Sequence, residues 1–317
     1  MQLKSMLIMV LQLTAGMTKL LVARGDIMYN TFEIVNLDES NPFLVCDNFS
    51  GLPYSNTDAA FLYNGMVPIG CVNNTLCYLY EDGVWLYGPE CPSLTAFSIV
   101  TERKNNKDHD IVIMAGGSLK VQLFDGIRWS TGVYADLPET VWDHCMVRIN
   151  DSMLMIIGGY TFLFGLDYKV ANSYFFNLIE NKWIIGPKLI RPRRRPVCGV
   201  MLWENNKVVV VAGGYSFYQI PLTTVEFLFL NDYENYNISW VKGVSLPHII
   251  EEPAMVEYQD GVMLVGGKET QTDTGRNLYM LSSPNGTWTR MNQTLKEKRV
   301  YHTSAFLVPE EIVNCHL

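Results

Sequence analysis

The sequence predicts an all-β protein that is assembled from repeated small sheets. Three observations support this prediction. An apolar strand that ends in two glycines occurs four times, a tryptophan follows each copy, and successive tryptophans, counted from an earlier one at Trp85, are 44 to 57 residues apart. A repeat of this length corresponds to one supersecondary unit, which must stack on its neighbours to bury its faces.

The double glycines and the tryptophans have different structural roles. Two glycines after a strand allow positive φ angles and let neighbouring backbones approach where a Cβ atom would collide. The tryptophan gives each thin sheet a large apolar plate that packs against the next sheet. The glycine pairs are Gly116-Gly117, Gly158-Gly159, Gly213-Gly214 and Gly266-Gly267, and the tryptophans are Trp85, Trp129, Trp183, Trp240 and Trp288.

This pattern resembles the Kelch family of β-propellers, and the resemblance covers nearly the whole chain after the N-terminal segment. It implies a ring of blades, each with four antiparallel strands named a to d. Strands a and b form a hairpin that ends at the double glycine, and strands c and d form a hairpin that carries the tryptophan. In the first copy the double glycine is degenerate and reads Gly70-Cys71.

Counting the hairpins predicts six blades over residues 24–317. The a/b hairpins are expected near residues 58–71, 95–117, 143–159, 197–214, 254–267 and 300–315, and the c/d hairpins near 31–50, 76–92, 121–137, 173–189, 224–246 and 277–295. The chain thus begins with a c/d pair and ends with an a/b pair. These two halves are expected to form one blade and to close the six-bladed ring.

The N-terminal residues 1–23 have the pattern of a secretory signal peptide. Lys4 precedes a short apolar run at residues 6–13, and small residues follow, so cleavage is expected after Gly16 or Ala23. The run is far shorter than the roughly 20 residues that a membrane span requires. We therefore expect a secreted, extracellular protein without a membrane span.

Glycosylation acceptors also favour the secretory route. The Asn-X-Ser/Thr pattern occurs about twice as often as this composition would give by chance. Glycans in a secreted protein are bulky and occupy its surface. The six acceptors are Asn48, Asn73, Asn150, Asn237, Asn285 and Asn292.

The seven cysteines are not arranged at zinc-binding spacing, so disulfides are the expected chemistry. Cys71 and Cys77 flank a short turn between strands b and c, where facing strands come within disulfide range. This is the first expected bond. A bond between Cys46 and Cys91, on the d strands of adjacent blades, is a second expectation.

Two further cysteines, Cys145 and Cys198, are expected on the inner strands of neighbouring blades. They form either a disulfide with each other or two buried free thiols, and the sequence leaves both alternatives open. Because the total is odd, at least one cysteine is left unpaired within the chain.

The sequence gives little support for catalysis, cofactors or metal binding. No phosphate-binding loop, dinucleotide fingerprint or hydrolase motif is present, and the five histidines lack metal-ligand spacing. Glu251-Glu252 is a carboxylate pair, but adjacent residues in a loop point apart, so a solvated turn is expected there. A formal net charge of −8 disfavours nucleic acid as a partner.

A ligand-binding face is expected where the b-to-c and d-to-a connections emerge, because antiparallel strands place both on the same side of the ring. The b-to-c loops 161–171 and 216–222 bring aromatic residues to this side. Three glycosylation acceptors, Asn150, Asn237 and Asn285, fall on the opposite side, although Asn73 does not. The candidate ligand residues are the basic ones, Arg191, Arg193, Arg194, Arg195, Lys296, Lys298 and Arg299.

The expected function is non-catalytic binding of a protein or an acidic glycan outside the cell. Two alternatives come from what the Kelch resemblance implies. One is an intracellular adaptor for protein assembly or for substrate recognition by a ubiquitin ligase, although no helical partner domain precedes the repeats. The other is an enzyme on the same scaffold, similar to galactose oxidase or to a sialidase, although no convincing set of copper ligands is present.

Overall fold

A computed structural model of the chain describes residues 19–23, 32–37, 45–46, 51, 60–63, 68–72, 76–81, 83–90, 98–102, 111–163, 166–169, 171–230, 238–270, 275–300, 304–308 and 315–316. Every regular element in these ranges is a β-strand. No helix long and apolar enough to cross a membrane occurs within them.

The strands are numbered in chain order. The first eleven are β1 (Lys19–Ala23), β2 (Phe32–Asn36), β3 (Val45–Cys46), β4 (Ala60–Tyr63), β5 (Pro68–Val72), β6 (Leu76–Glu81), β7 (Val84–Tyr87), β8 (Ser98–Glu102), β9 (Ile111–Ala115), β10 (Gln122–Phe124) and β11 (Trp129–Thr131). The next ten are β12 (Cys145–Asn150), β13 (Met153–Ile157), β14 (Tyr160–Leu163), β15 (Leu166–Lys169), β16 (Ser173–Asn177), β17 (Lys182–Ile185), β18 (Val197–Trp203), β19 (Asn206–Ala212), β20 (Val225–Phe229) and β21 (Val241–Lys242). The last eight are β22 (Ile250–Glu251), β23 (Ala254–Tyr258), β24 (Gly261–Val265), β25 (Lys268–Glu269), β26 (Asn277–Leu281), β27 (Thr289–Thr294), β28 (Ser304–Val308) and β29 (Cys315–His316).

Five four-stranded antiparallel sheets form the blades of a β-propeller. In each blade the four strands follow the expected order a, b, c, d. From blade 1 to blade 5 the sheets are β4-β5-β6-β7, β8-β9-β10-β11, β12-β13-β16-β17, β18-β19-β20-β21 and β23-β24-β26-β27. The prediction of six such blades is therefore wrong for the described residues, which contain five.

The place of the sixth blade is taken by a closing sheet of three strands in the order β2-β1-β28. Strand β28 lies beside β23 of blade 5 and β4 of blade 1, so the closing sheet stands between these two blades. The N-terminus supplies its b and c strands and the C-terminus supplies only its a strand. The predicted closure by an N-terminal c/d pair and a C-terminal a/b pair is therefore wrong in its strand assignment.

Strand β1 explains this difference. The predicted signal peptide includes Lys19–Ala23, yet these residues form the fully buried central strand of the closing sheet, where Leu21 is paired with Ile34 on β2 and with Phe306 on β28. A strand buried on both faces has a continuous apolar sequence, which is also typical of a signal peptide. Cleavage after Gly16 would keep β1, whereas cleavage after Ala23 would remove it.

The C-terminal segment departs from the prediction for the same reason. The a/b hairpin expected near residues 300–315 would place its b strand beside β28, but β1 occupies that position. Instead, β29 pairs with β3 in a separate two-stranded ladder. The chain ends are thus interleaved, because each end of the sequence pairs with the other at two places.

The apolar core lies between adjacent sheets. One cluster joins blades 3 and 4, where Met155 and Phe175 pack with Val209 and Trp240. Corresponding clusters join blades 2 and 3, blades 4 and 5, and the closing sheet with each of its two neighbours. Each blade is too thin to bury its own faces, so stacking around the ring is the main source of its stability.

The double glycines have the predicted conformation. All eight glycines of the four pairs have positive φ. A Cβ atom on Gly159 would lie 2.5 Å from the carbonyl oxygen of Trp142, and one on Gly214 would lie 2.5 Å from that of Arg194. Both oxygens belong to the d-to-a connection that leads into the same blade, so the glycines let this connection lie directly against the b-to-c turn.

Two of the repeat tryptophans, Trp183 and Trp240, link neighbouring blades by hydrogen bonds. The indole Nε1 of Trp183 in blade 3 donates to the carbonyl oxygen of Ala135, which follows blade 2, at 3.0 Å. Trp240, directly before the last strand of blade 4, donates in the same way to Pro187, which follows blade 3, at 3.1 Å. Each ring thus packs in the core and also fixes the preceding connection.

Candidate functional site

The d-to-a and b-to-c connections lie together on one side of the ring, as predicted. We call this side the connection face: residues 132–144, 186–196 and 243–253 connect d to a, and residues 158–163, 213–224 and 266–270 lead from b toward c. Backbone bridges join the two kinds of connection at Trp142 with Tyr160 and at Arg194 with Tyr215. A third link is the β22–β25 ladder.

Two of the seven predicted ligand residues are buried, Arg193 in the connection face and Arg299 in the connection from blade 5 to the closing sheet. Arg193 is 0% exposed, and its Nη2 donates to Glu226 Oε1 at 2.6 Å. Arg299 is 1% exposed, and its Nε donates to Glu33 Oε1 at 3.0 Å. A side chain that is buried and paired in this way is unavailable to a ligand. Both arginines therefore have structural roles and are removed from the predicted ligand surface.

The partner of Arg193 also fixes the backbone of the connection. The Glu226 carboxylate accepts hydrogen bonds from the backbone N–H groups of Ile190 and Arg191, at 2.7 and 3.1 Å. Arg193 itself donates to the carbonyl oxygens of Gly213 and Thr224. One ion pair thus holds the d-to-a connection, the double-glycine turn and strand β20 together.

Arg194 and Arg195 are partly buried in a charge network that crosses three blades. Nε of Arg195 donates to Oδ2 of Asp143 at 3.0 Å, and its Nη1 donates to Oε1 of Glu252. Arg194 donates to the same Asp143 oxygen from Nε and Nη2, at 3.0 and 2.7 Å. Burial opposes the charge of Arg195, but Asp143 and Glu252 outweigh it and raise the pKa of Arg195.

The three principal members of this network occupy one repeat position. Asp143, Arg195 and Glu252 each lie six residues after a buried leucine, and their φ angles are 51°, 49° and 52°. Positive φ is uncommon for residues other than glycine. The sequence contains this periodic signal, but only comparison of the connections after each repeat would have found it.

Tyrosines extend the network toward the b-to-c connections. The Tyr215 hydroxyl donates to Oε2 of Glu251 at 2.7 Å, and burial together with this hydrogen bond raises the pKa of Tyr215. The Arg194 guanidinium lies 5.0 Å from the centre of the Tyr160 ring. Glu251 therefore has a specific partner, in contrast to the solvated turn that was expected for Glu251-Glu252.

The exposed part of the connection face is more apolar than predicted. In the b-to-c loop of blade 4, Tyr218 is 79% exposed, Ile220 57% and Phe217 54%. Arg191 and Ile190 are exposed in the neighbouring d-to-a connection. We call these five residues the aromatic patch. Of the predicted basic residues, Arg191, Lys296 and Lys298 are exposed.

The structure describes three of the six glycosylation acceptors. Asn285 and Asn292 are exposed, and Asn150 is half-buried in the turn between β12 and β13, where its Oδ1 accepts hydrogen bonds from the N–H and hydroxyl of Ser152. Asn48, Asn73 and Asn237 lie outside the described residues. Glycosylation at all six sites stays a prediction.

Two disulfides are present among the described residues. Cys71 and Cys77 are bonded with a Cα–Cα distance of 4.0 Å, which confirms the first expected bond. Cys145 and Cys198 are bonded at a Cα–Cα distance of 6.0 Å and join the inner strands of blades 3 and 4. Of the two alternatives left open by the sequence, the disulfide is therefore the one that the structure contains. Cys91, the expected partner of Cys46, lies outside the described residues.

Comparison with known proteins supports the fold alone. No family model matches the chain, and no curated protein matches it. The solved structure of YjhT aligns with a TM-score of 0.63 and 11% sequence identity, over 83% of this chain and 91% of that one. In total, 308 solved chains match. Because the sequence identity to YjhT is so low, the likeness supports the propeller architecture and does not indicate a function.

Proposed function

We propose that this protein is an exported Kelch-type propeller that binds a protein ligand through the connection face and catalyses no reaction. The aromatic patch carries the proposal. Exposed aromatic and aliphatic side chains together with an arginine are the composition of interface hot spots. Tyr218, Phe217 and Arg191 provide this composition on two connections that the Arg194–Tyr215 bridge joins.

A protein ligand fits this surface better than an acidic glycan. Recognition of acidic sugars would use unpaired guanidinium groups, but four of the five arginines on the predicted surface are engaged by carboxylates of the same chain. The apolar groups of the patch remain exposed. Their burial against a partner would supply the hydrophobic contribution to binding.

The Kelch assignment is supported by the repeat and by its structural role. Four double glycines with positive φ and tryptophans that pack between neighbouring sheets are what the resemblance implies. Trp183 and Trp240 also donate to the connection that follows the preceding blade. Export is supported by the two disulfides, since such bonds persist in oxidising compartments. The glycosylation acceptors add to this support.

Matched variants of exposed residues test the binding proposal. The protein would be expressed through a eukaryotic secretory pathway and used to capture ligands from extracellular fluid. We expect Phe217→Ser/Tyr218→Ser to reduce the captured partner about tenfold or more, because truncation of a hot spot costs over about 1 kcal/mol per residue.

The control is Ile127→Ser/Ile179→Ser. These isoleucines are 77% and 83% exposed and lie in c-to-d turns on the opposite side of the ring. If the patch variant still captures the ligand and the control variant does not, the site lies on the side of the c-to-d turns and the proposal is wrong. Capture of a glycan in place of a protein would refute the proposed ligand class.

The two alternative functions give different results in separate measurements. Retention of the expressed protein in the cytosol, with no gel shift after deglycosylation, would favour the intracellular adaptor. Stoichiometric copper in the purified protein would favour an enzyme similar to galactose oxidase. For the proposed binding module, we expect protein in the medium, a downward gel shift and no dependence of ligand capture on added chelator.

A further inference from the structure

We propose that Cys46 and Cys315 form a third disulfide, which covalently joins the two ends of the chain. The observation that carries this inference is the register of the β3–β29 ladder. In this antiparallel pair, Cys46 and Cys315 are direct Cα partners, and Val45 is the partner of His316.

Direct antiparallel partners have the spacing that a disulfide requires. Their Cβ atoms are about 4.5–5.5 Å apart, and their Cα atoms about 4.5 or 5.5 Å according to the hydrogen-bonding pattern. Disulfides span Cα–Cα distances of about 4.4–6.8 Å. A pair of opposed cysteines therefore needs only small local adjustment to form the bond.

The same chain contains an internal precedent. Cys71 and Cys77 are direct Cα partners in the antiparallel pairing of β5 with β6, and they are bonded. The register relation of Cys46 and Cys315 is the same. The two pairs differ in sequence separation, because one closes a short turn and the other closes nearly the whole chain.

The bond would reinforce a short ladder that joins the two chain ends. The β3–β29 ladder contains two residues on each strand, and isolated two-stranded pairs are marginally stable in water. In the loop-entropy account of disulfides, the stabilisation grows with the length of the loop that is closed. A bond at this place would keep the C-terminal strand attached and hold the N-terminal strands of the closing sheet in the ring.

Formation of the bond requires an oxidant, and the export that the proposed function assumes supplies one. The two cysteines lose two electrons and two protons while a disulfide of the secretory compartment, such as that of an oxidoreductase or of glutathione, is reduced to two thiols. The step proceeds through a mixed disulfide. This pairing replaces the expected bond between Cys46 and Cys91 and leaves Cys91 as the one free cysteine.

Non-reducing peptide mapping of the secreted, enzymatically deglycosylated protein tests the pairing. Free thiols are first blocked by alkylation in denaturant. Trypsin is unsuitable, because no lysine or arginine lies between residues 25 and 102 and one peptide would contain both Cys46 and Cys91. Cleavage after glutamate separates them into residues 40–81 and 91–102, and it releases Cys315 in residues 312–317.

We expect peptide 312–317 to be linked to peptide 40–81, with alkylation confined to Cys91. The described bond between Cys145 and Cys198 provides the internal control, as a link between peptides 140–180 and 181–204. If the control link forms while 40–81 is linked to 91–102, or while Cys46 and Cys315 are both alkylated, the third disulfide is refuted and the export proposal survives. If the control link is also absent, both fail.

A stability measurement adds a second readout. We expect Cys46→Ser/Cys315→Ser to lower the Tm by about 5–15 °C, whereas Cys91→Ser leaves it unchanged. A Tm that falls in Cys91→Ser and not in the double variant would overturn the assignment.

Discussion

The space between the d-to-a connection and strand c is filled by two different sets of side chains in different blades. In blade 4 and in the closing sheet, an arginine from the d-to-a connection pairs with a glutamate on strand c, as in Arg193 with Glu226. In blade 3 the corresponding residues are Val141 and Tyr174, and the Tyr174 hydroxyl donates to Glu139 at 2.6 Å. Blade 5 uses the second solution as well, with an isoleucine and a tyrosine. Because the ion pair of blade 4 and the valine and tyrosine of blade 3 occupy the same place, the charge of Arg193 serves packing and not ligand recognition.

Exchanging one set for the other tests this interpretation. We expect Arg193→Val alone to lower the free energy of unfolding by about 3–5 kcal/mol, because it leaves the buried Glu226 carboxylate without its ion-pair partner. Adding Glu226→Tyr and Arg191→Glu copies the blade 3 set and should recover most of the loss, as measured by urea unfolding. Equal stability of the single and triple variants would contradict the exchange.

His144 couples the stability of the ring to pH. It is buried where the connection into blade 3 meets blade 2, and burial lowers its pKa to about 4, against weaker opposing effects of Asp143 and the backbone of Ala115. The unfolded chain takes up a proton below about pH 6.5, whereas the folded protein resists protonation until about pH 4. Stability from this group is therefore complete above pH 6.5 and is lost as the pH falls toward 4.

Urea unfolding of the wild type and His144→Gln at pH 7.5 and pH 5 measures this contribution. We expect the wild type to lose about 2 kcal/mol more than the variant between these two pH values. The variant is the reference because carboxylates elsewhere also titrate in this range. Parallel losses in both proteins would show that His144 does not titrate as its burial requires.

Among the strands, β1 is the one whose placement differs most from its predicted role. Residues 20–25 of the sequence align with residues 209–214 in blade 4. The first run reads Leu20-Leu21-Val22-Ala23-Arg24-Gly25 and the second reads Val209-Val210-Val211-Ala212-Gly213-Gly214. The repeat therefore contains a degenerate copy at the N-terminus. An apolar run beside the start of a chain has the same composition in a signal peptide and in a doubly buried strand, so composition could not separate them.

Two truncations test the role of β1. A protein that begins at residue 17 should keep the stability of the full-length chain, whereas one that begins at residue 24 loses the buried side chains of Leu20, Leu21 and Val22, each worth about 1.5–3 kcal/mol. Since this loss approaches the total stability of a domain, we expect the shorter protein to unfold or aggregate. Equal melting temperatures by circular dichroism would contradict the placement of β1. N-terminal sequencing of the secreted protein should likewise find a start at or before Lys19.

For the whole molecule, the local repeat predicted far more than the ring closure or the site. Glycine pairs, tryptophans and the Cys71–Cys77 bond depend on neighbouring residues in one blade, and their roles follow from spacing. Ring closure depends on pairing between the two chain ends, and its local sign, the degenerate repeat copy at β1, was interpreted as part of a signal peptide. The arginines at 191–195 were predicted to bind a ligand because their partners are distant in the sequence. Arg193 pairs with Glu226 on strand β20, and Arg195 pairs with Asp143 and Glu252 in the connections of neighbouring blades. The sequence of one connection does not contain these carboxylates.

Amide hydrogen exchange of the secreted protein, with and without its captured ligand, reports directly which face of the ring binds. If the aromatic patch is the site, protection should appear in residues 186–196 and 213–224, while the c-to-d turns at 125–128 and 178–181 exchange at unchanged rates. Protection confined to those turns, or to the exposed outer strand β7 at Val84–Tyr87, would show that the ligand binds elsewhere and would contradict the proposed function of the connection face.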